Sequence, residues 1–401
     1  MLTTPRSWLA GAMPVLWVLA SGCSPAGKLP AARPAGSSTA HVLSAEPVPI
    51  EIVDDHVLVR GTLNGSAVRL VLDTGASHVA VSPEAAAAAG IREIGEARFG
   101  AFGGEQGSAR SGVADSVGIG PAVAKDVATF IFPIPPVFEA DGFLGLSFLR
   151  RFTVRLDHEQ RTLSFAPSSS SALKGGGEGV AMQDDGRLVV QAEVDGVPAK
   201  LVLDTGAGQS LILRPWFVDR ERLRARYPKR LAVVTGGGLL GATHGEIARL
   251  RTLELGGHTL TNVFVEFEAG TLHRPDDIAG YVGAGVLSRF NLTFDPAGKR
   301  IWFEPNSSYA NAQVPSATVR SGLVWMPEGT VADVVPGSPA AEAGVRQGDR
   351  LLAVDGVPVQ TLKFTGVKRA LRAEPGTRVS LRLQTDGATP RDTVLVLRDL
   401  L

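Results

Sequence analysis

Val57-Leu-Val-Arg-Gly-Thr-Leu-Asn64-Gly65-Ser-Ala-Val-Arg-Leu-Val-Leu-Asp73-Thr74-Gly75-Ala76 returns later in the chain as Leu188-Val-Val-Gln-Ala-Glu-Val-Asp195-Gly196-Val-Pro-Ala-Lys-Leu-Val-Leu-Asp204-Thr205-Gly206-Ala207. In each copy two apolar-rich runs flank an Asn-Gly or Asp-Gly pair, which is the pattern of a two-residue β-hairpin. The spacing from turn to terminal Asp is the same in both, 73 − 64 = 9 and 204 − 195 = 9. A repeat this long defines the architecture before any single residue does.

The likeness continues outward. Gly103-Gly104 opens a stretch ending at Gly120, and Gly237-Gly238 opens its counterpart ending at Gly256. The first copy closes with Gly142-Phe143-Leu144-Gly145, then Phe152–Asp157 and Leu163–Phe165. The second closes with Tyr281-Val282-Gly283-Ala284-Gly285, then Phe290–Asp295 and Ile301–Phe303. Short β-type runs with regularly spaced turns predict one barrel-like, all-β unit per copy. These units span residues 47–167 and 179–306. The Ser- and Gly-rich segment 168–178 between them reads as a linker.

Composition agrees with a β-rich globular chain. Of 401 residues, 44% are hydrophobic and only 6% aromatic, and the 47 glycines suit many tight turns. Lys+Arg and Asp+Glu are both 40, so no net field draws the chain to nucleic acid. The seven histidines are isolated from one another, and no zinc-type spacing or cofactor motif is present. Clustered acids such as Asp54-Asp55-His56 could suggest metal-dependent hydrolysis, but no second cluster completes a metal site. Ser77-His78 pairs a nucleophile type with a base type. On a strand, adjacent side chains point to opposite faces, so this pair reads as structural.

The N-terminus reads as an address. Arg6 precedes the apolar stretch Trp8–Ala20, which runs into Ser21-Gly22-Cys23, and Cys23 is the sole cysteine. The stretch is short for a membrane span and is interrupted by Gly11 and Pro14. Residues 1–23 resemble a bacterial lipoprotein signal, although Leu19 stands one position earlier than the best such signals place it. The resemblance implies lipidation of Cys23 and a chain held on the periplasmic or extracellular side of the cell envelope. Ordinary secretion and an uncleaved anchor are the alternatives. Residues 24–46, rich in Ala, Pro, Gly and Ser, read as a flexible tether.

The paired Asp-Thr-Gly-Ala motifs, each followed by an apolar-apolar-Gly segment, resemble the retropepsin/pepsin superfamily of aspartic proteases, with the Ala after Gly closer to the retroviral type. The resemblance covers roughly 47–306 and implies that the two halves fold as one intramolecular pseudo-dimer. It implies peptide-bond hydrolysis by Asp73 and Asp204, which would share one proton around a water. Like charges this close cannot both ionise cheaply, so the two pKa values belong to the pair. Thr74 and Thr205 would lock the loops across the pseudo-twofold axis, with Gly75 and Gly206 turning the backbone behind each Asp. Leu144-Gly145 and an equivalent within Gly283–Gly285 would pack beneath. Gly103, Gly104, Gly237 and Gly238 fall where flaps closing over the substrate would lie. No cofactor is implied, and the substrates would be extended peptides or proteins.

After a second linker, 307–317, comes Val331–Val335, Pro336-Gly337-Ser338-Pro339, a Gly344 stop, and Arg350–Val354 ending in Asp355-Gly356. This string resembles the PDZ domains of bacterial envelope proteases over 318–401. It implies an α+β domain that captures C-terminal peptides beside a sheet edge. Gly322, Leu323 and Val324 are the candidate carboxylate-binding loop, and Leu362–Ala373 the groove-lining helix. The competing reading of the whole chain is a catalytically inactive, peptide-binding envelope lipoprotein.

Overall fold

The computed structural model describes residues 40–100, 106–168, 170–184, 186–238, 241–270, 276–310 and 316–401. Each quoted repeat forms the hairpin that its turn residues dictate. His56–Leu63 pairs antiparallel with Ser66–Leu72, and Leu188–Val194 with Val197–Leu203. Asn64 and Asp195 hold φ of 49° and 51°, followed by Gly65 at 87° and Gly196 at 78°. Two successive left-handed residues match the twist of the flanking strands, and Asn, Asp and Gly tolerate them best.

The copies then run in step. The strand ending before Asp73 lies parallel to Gly142–Leu144, and the strand ending before Asp204 lies parallel to Ile278–Val282. Val79–Val81 inserts between Gly142–Leu144 and Ala122–Ile131, just as Leu211–Leu213 inserts between Ile278–Val282 and His258–Glu268. Each half extends one long hairpin, Arg92–Gly100 with Gln106–Ile119 in the first and Leu231–Gly238 with Gly241–Leu255 in the second.

The halves join through a sheet built around their own pseudo-symmetry. Its strand order is Val48–Val53, Thr162–Pro167, Phe152–Asp157, then Phe290–Asp295, Arg300–Pro305, Val180–Asp184. The two central strands are equivalent members of the repeat and pair antiparallel, with Arg155 opposite Thr293. Continuous hydrogen bonding across the seam fixes the two Asp loops relative to each other. The apolar core is correspondingly shared, running from Leu70 and Phe148 through Leu156 to Leu292, Leu201 and Phe217.

Two boundaries shift from the sequence reading. Ala40–Val42, assigned to the tether, pairs antiparallel with Ala122–Ala124 and so belongs to the first sheet. Composition marks flexibility poorly where three residues suffice to cover a sheet edge. Part of the linker 168–178 is also bound in place: Thr293 Oγ1 donates to the Leu173 carbonyl, and Lys174 Nζ lies 3.1 Å from buried Asp295.

The C-terminal domain has a core of its own, including Leu323, Val331, Leu351, Val367, Leu371 and Leu395. Ser338 caps the short Pro339–Glu342 helix by accepting from Ala341 N–H, and Gly344 ends the turn at φ 73°. The Val359–Leu371 helix follows, broken at Lys363 where φ is 56°. This domain also packs on the second half through Val319 and Val335 against Ile247 and Phe264.

Candidate active site

Each Asp-Thr-Gly leaves a strand and turns at once. Asp73 Oδ1 accepts from Gly75 N–H and Ala76 N–H, both at 2.9 Å. Asp204 Oδ1 accepts from Gly206 N–H at 3.1 Å and Ala207 N–H at 3.0 Å. The loops are then fastened from behind in matching fashion. Asp73 N–H donates to Leu144 carbonyl and Leu146 N–H to Ala76 carbonyl; Asp204 N–H donates to Val282 carbonyl and Ala284 N–H to Ala207 carbonyl. This fixes the register that the sequence left open: Gly283, not Gly285, is the partner of Gly145. Their backbones agree closely, at φ −94° and ψ −173° against φ −101° and ψ −174°.

The threonines close the arrangement across the two halves. Thr74 N–H donates to Thr205 Oγ1 at 3.0 Å, and Thr205 N–H to Thr74 Oγ1 at 3.1 Å. Each hydroxyl in turn donates across the axis, Thr74 to Leu203 carbonyl and Thr205 to Leu72 carbonyl, both at 2.7 Å. Four bonds thus lock loops 131 residues apart in sequence. The glycines leave room for the opposite carboxylates. A β-carbon on Gly75 would lie 2.5 Å from Asp204 Oδ1, and one on Gly206 would lie 2.5 Å from Asp73 Cγ.

Both carboxyls are buried, Asp73 at 0% and Asp204 at 1% exposure. Burial pushes both above the ordinary carboxylate value, while the loop N–H donors pull each back down. Burial raises Asp204 most; the Asp73 charge and a side-chain hydrogen bond donated to Asp73 raise it further. With both groups ionised neither has a hydrogen to give, so a proton shared by the pair would supply the donor between them.

A sequence model described as "Aspartyl protease" matches residues 59–148 and 190–285, one segment in each half. Both halves are aspartyl protease-family domains. A second model, described as "PDZ domain", matches residues 330–385. Among solved structures, the aspartic proteinase from Irpex lacteus is similar over 67% of this chain and 100% of its own, with 12% identity and a TM-score of 0.46. Among curated proteins, the carboxyl-terminal-processing protease of Synechocystis is 32% identical over 100 residues. A provisionally named zinc metalloprotease of Rhizobium meliloti is 43% identical over 58 residues. The chain spans only 15% of the latter's length and 23% of the former's.

The remaining candidates distribute as follows. Gly237 and Gly238 lie on the outer end of the second protease half's long hairpin, opposite Ala242 and Gly241. Gly103 and Gly104 fall outside the described residues, as does Cys23. In the PDZ domain Gly322 takes φ 74° at the end of the Ala317–Ser321 helix. Its N–H donates to Thr318 carbonyl, and Leu323 N–H donates to Ser321 Oγ, so both donors have partners inside the domain. Val324 packs toward the docking patch on the second half. Phe364 of the Val359–Leu371 helix packs against Trp325, with ring centroids 5.2 Å apart.

Ser77 and His78 differ from the expectation of opposed side chains. They occupy a bend before Val79–Val81, not the strand itself, and Ser77 Oγ lies 2.8 Å from His78 Nδ1. His78 also packs on Phe130, and burial pushes its imidazole down to about 4. Among the described residues no group of acids, His and Cys forms a metal site. Asp54 and Asp55 instead meet cations of the PDZ domain: Lys368 Nζ is 2.7 Å from Asp54 Oδ1, and Arg372 Nη1 is 2.8 Å from Asp55 Oδ2. Sequence reasoning missed this contact because no local signal pairs residues more than 300 positions apart.

Proposed function

We propose that the chain is an aspartic endopeptidase with one active site made jointly by Asp73 and Asp204. The observation that carries the reading is the cross-locked pair of loops, in which each half's glycine makes room for the other half's carboxyl. In the singly protonated pair the ionised carboxylate takes a proton from an attacking water. The protonated partner donates to the scissile carbonyl and stabilises the charge that develops there. Burial favours holding that one proton at pH values where exposed carboxylates would have lost it. An extended peptide would lie across both halves, under the long hairpins, and the PDZ domain would capture or gate peptide substrates.

The test uses the chain from residue 24 onward and an unfolded protein substrate between about pH 3.5 and about pH 7.5. Internal cleavage is expected, mapped by new termini in mass spectrometry and blocked by a statine-type inhibitor. Binding of the substrate without new termini across that range would favour a non-catalytic peptide-binding protein. Lipidation of Cys23 at the cell envelope belongs to the same proposal. Incorporation of a labelled fatty acid, lost in Cys23→Ser, is its expected signature.

A further inference from the structure

The Leu323–Trp325 strand is shared between two neighbours. Leu323 and Trp325 are buried in the PDZ core, while Val324 packs with Val319 and Val335 on Ile247 and Phe264 of the second protease half. Ile247 stands opposite Leu231 at the root of that half's long hairpin, and the Val331–Val334 strand runs beside Leu231–Gly238. Arg249 adds an ion pair to Asp399 at 2.7 Å.

The Val359–Leu371 helix is fastened to the first protease half instead. Lys368 Nζ lies 2.7 Å from Asp54 Oδ1 and Arg372 Nη1 lies 2.8 Å from Asp55 Oδ2, with cross-contacts of 3.6 and 4.0 Å. Asp54 and Lys368 are largely buried in this contact. A third pair, Lys363 with Glu139 at 3.0 Å, holds the helix where it breaks. Lys363 takes φ 56° and ψ 179° there, a backbone region that residues other than glycine rarely hold.

PDZ domains take an extended peptide as a strand added along a sheet edge. Leu323–Trp325 pairs with Val331–Val334 on one edge and, among the described residues, with no strand on the other. An added strand needs about 4.8 Å of width. The docked domain is shut against it. Phe364 on the helix packs on Trp325 of the strand, with ring centroids 5.2 Å apart. The candidate donors for a peptide carboxylate are occupied as well, Gly322 N–H by the Thr318 carbonyl at 2.8 Å and Leu323 N–H by Ser321 Oγ at 3.1 Å. A peptide must therefore part strand from helix, and the two are pinned to different protease halves.

We propose that the docked PDZ domain is a brake on the protease, released by an extended peptide that inserts between Leu323–Trp325 and the Val359–Leu371 helix. Insertion and docking compete, so loss of docking must strengthen peptide binding by the factor with which the peptide weakens docking. Docked, the PDZ domain restrains the root of a hairpin that would cover two carboxyls of almost no exposure. Released, that hairpin is free to open. The effect on cleavage rests on the aspartic endopeptidase reading; the competition does not.

Peptide affinity is measured by fluorescence anisotropy on the full chain carrying Asp204→Asn, so that no probe is cleaved. The probe is the tightest binder from a pool of labelled decapeptides with free apolar C-termini, and slowed hydrogen exchange at residues 322–325 locates it. Asp54→Asn/Asp55→Asn/Glu139→Gln undocks the first half by leaving Lys368 buried without its counter-ion. Asn tolerates the left-handed backbone of Asp54 and Asp55. Arg249→Gln loosens the second half, and Arg382→Gln, in an exposed pair within the PDZ domain, is the control. The dissociation constant should fall at least about tenfold in the triple variant and about threefold in Arg249→Gln, and stay within about twofold in the control. With Asp204 restored, saturating peptide should raise wild-type cleavage of an unfolded protein at least about threefold, whereas the triple variant should start raised and gain nothing further. Equal or weaker peptide binding in either undocked variant, folded by near-ultraviolet circular dichroism, would overturn the proposal. So would a pool with no binder at 322–325, an equal shift in the control, or cleavage by wild type that peptide leaves unchanged. If wild type cleaves nothing while the affinities shift as stated, the enzymatic reading fails and the competition stands.

Discussion

At the scale of single residues, the feature that governs behaviour is burial of two carboxyls against each other. Their folded-state pKa values lie above the ordinary value of 3.8, so the folded chain holds protons more tightly than the unfolded chain. The dyad's contribution to stability is therefore fully present below that ordinary value and is lost as pH rises through the raised values. Asp204→Asn removes this titration while keeping size and shape. The variant should be inactive, yet more stable than wild type at pH 7 by about 1–3 kcal/mol, with the difference closing toward pH 3.5. Thermal melts across pH read this directly; a gap that widens on acidification would contradict the raised values. At this scale the sequence was most legible. Asp73, Thr74, Gly75, Asp204, Thr205 and Gly206 all meet where the repeat brings them. Asp54 and Asp55 were read only as part of an incomplete metal cluster, because their partners Lys368 and Arg372 are carried by the C-terminal domain.

Among elements, the paired closing segments show what the repeat encodes and what it leaves to packing. The sequence matched Leu144-Gly145 to the second closing segment but left its register open within Gly283–Gly285; the structure shows Val282-Gly283 placing equivalent carbonyls and N–H groups behind the second Asp loop. A Cβ at Gly145 would meet the Ala76 carbonyl at 2.8 Å, and one at Gly283 the Ala207 carbonyl at 2.7 Å. Gly145→Ala and Gly283→Ala should each cost about 1–3 kcal/mol by forcing that backbone apart. Both should also reduce cleavage, because the displaced atoms carry the dyad. Chemical denaturation beside initial rates separates the two effects; loss in one variant only would mean that the halves are not equivalent supports. Ser77-His78 marks the limit of periodicity: alternation holds along a strand and fails in the bend that precedes one.

Across the whole molecule, the two halves meet at one pair of Asp loops, and a third domain docks on both halves. Antiparallel pairing of Phe152–Asp157 with Phe290–Asp295 joins the halves, and the PDZ domain touches both, through Val319 and Val335 on one and Lys368 and Arg372 on the other. The two repeated β-rich halves were legible from turn spacing, and the PDZ domain from the resemblance carried by residues 331–356. The docking was not, because apolar and charged surface residues look alike in sequence whether they meet solvent or a neighbouring domain. The measurement that bears most directly on a single shared active site is cleavage by Asp73→Asn and Asp204→Asn, each assayed alone beside wild type. Both variants should lose at least about a thousandfold in kcat/KM, as expected when either member of one acid–base pair is removed. Substantial cleavage surviving in either one would contradict a shared dyad and point to active sites formed separately by equivalent halves of two chains.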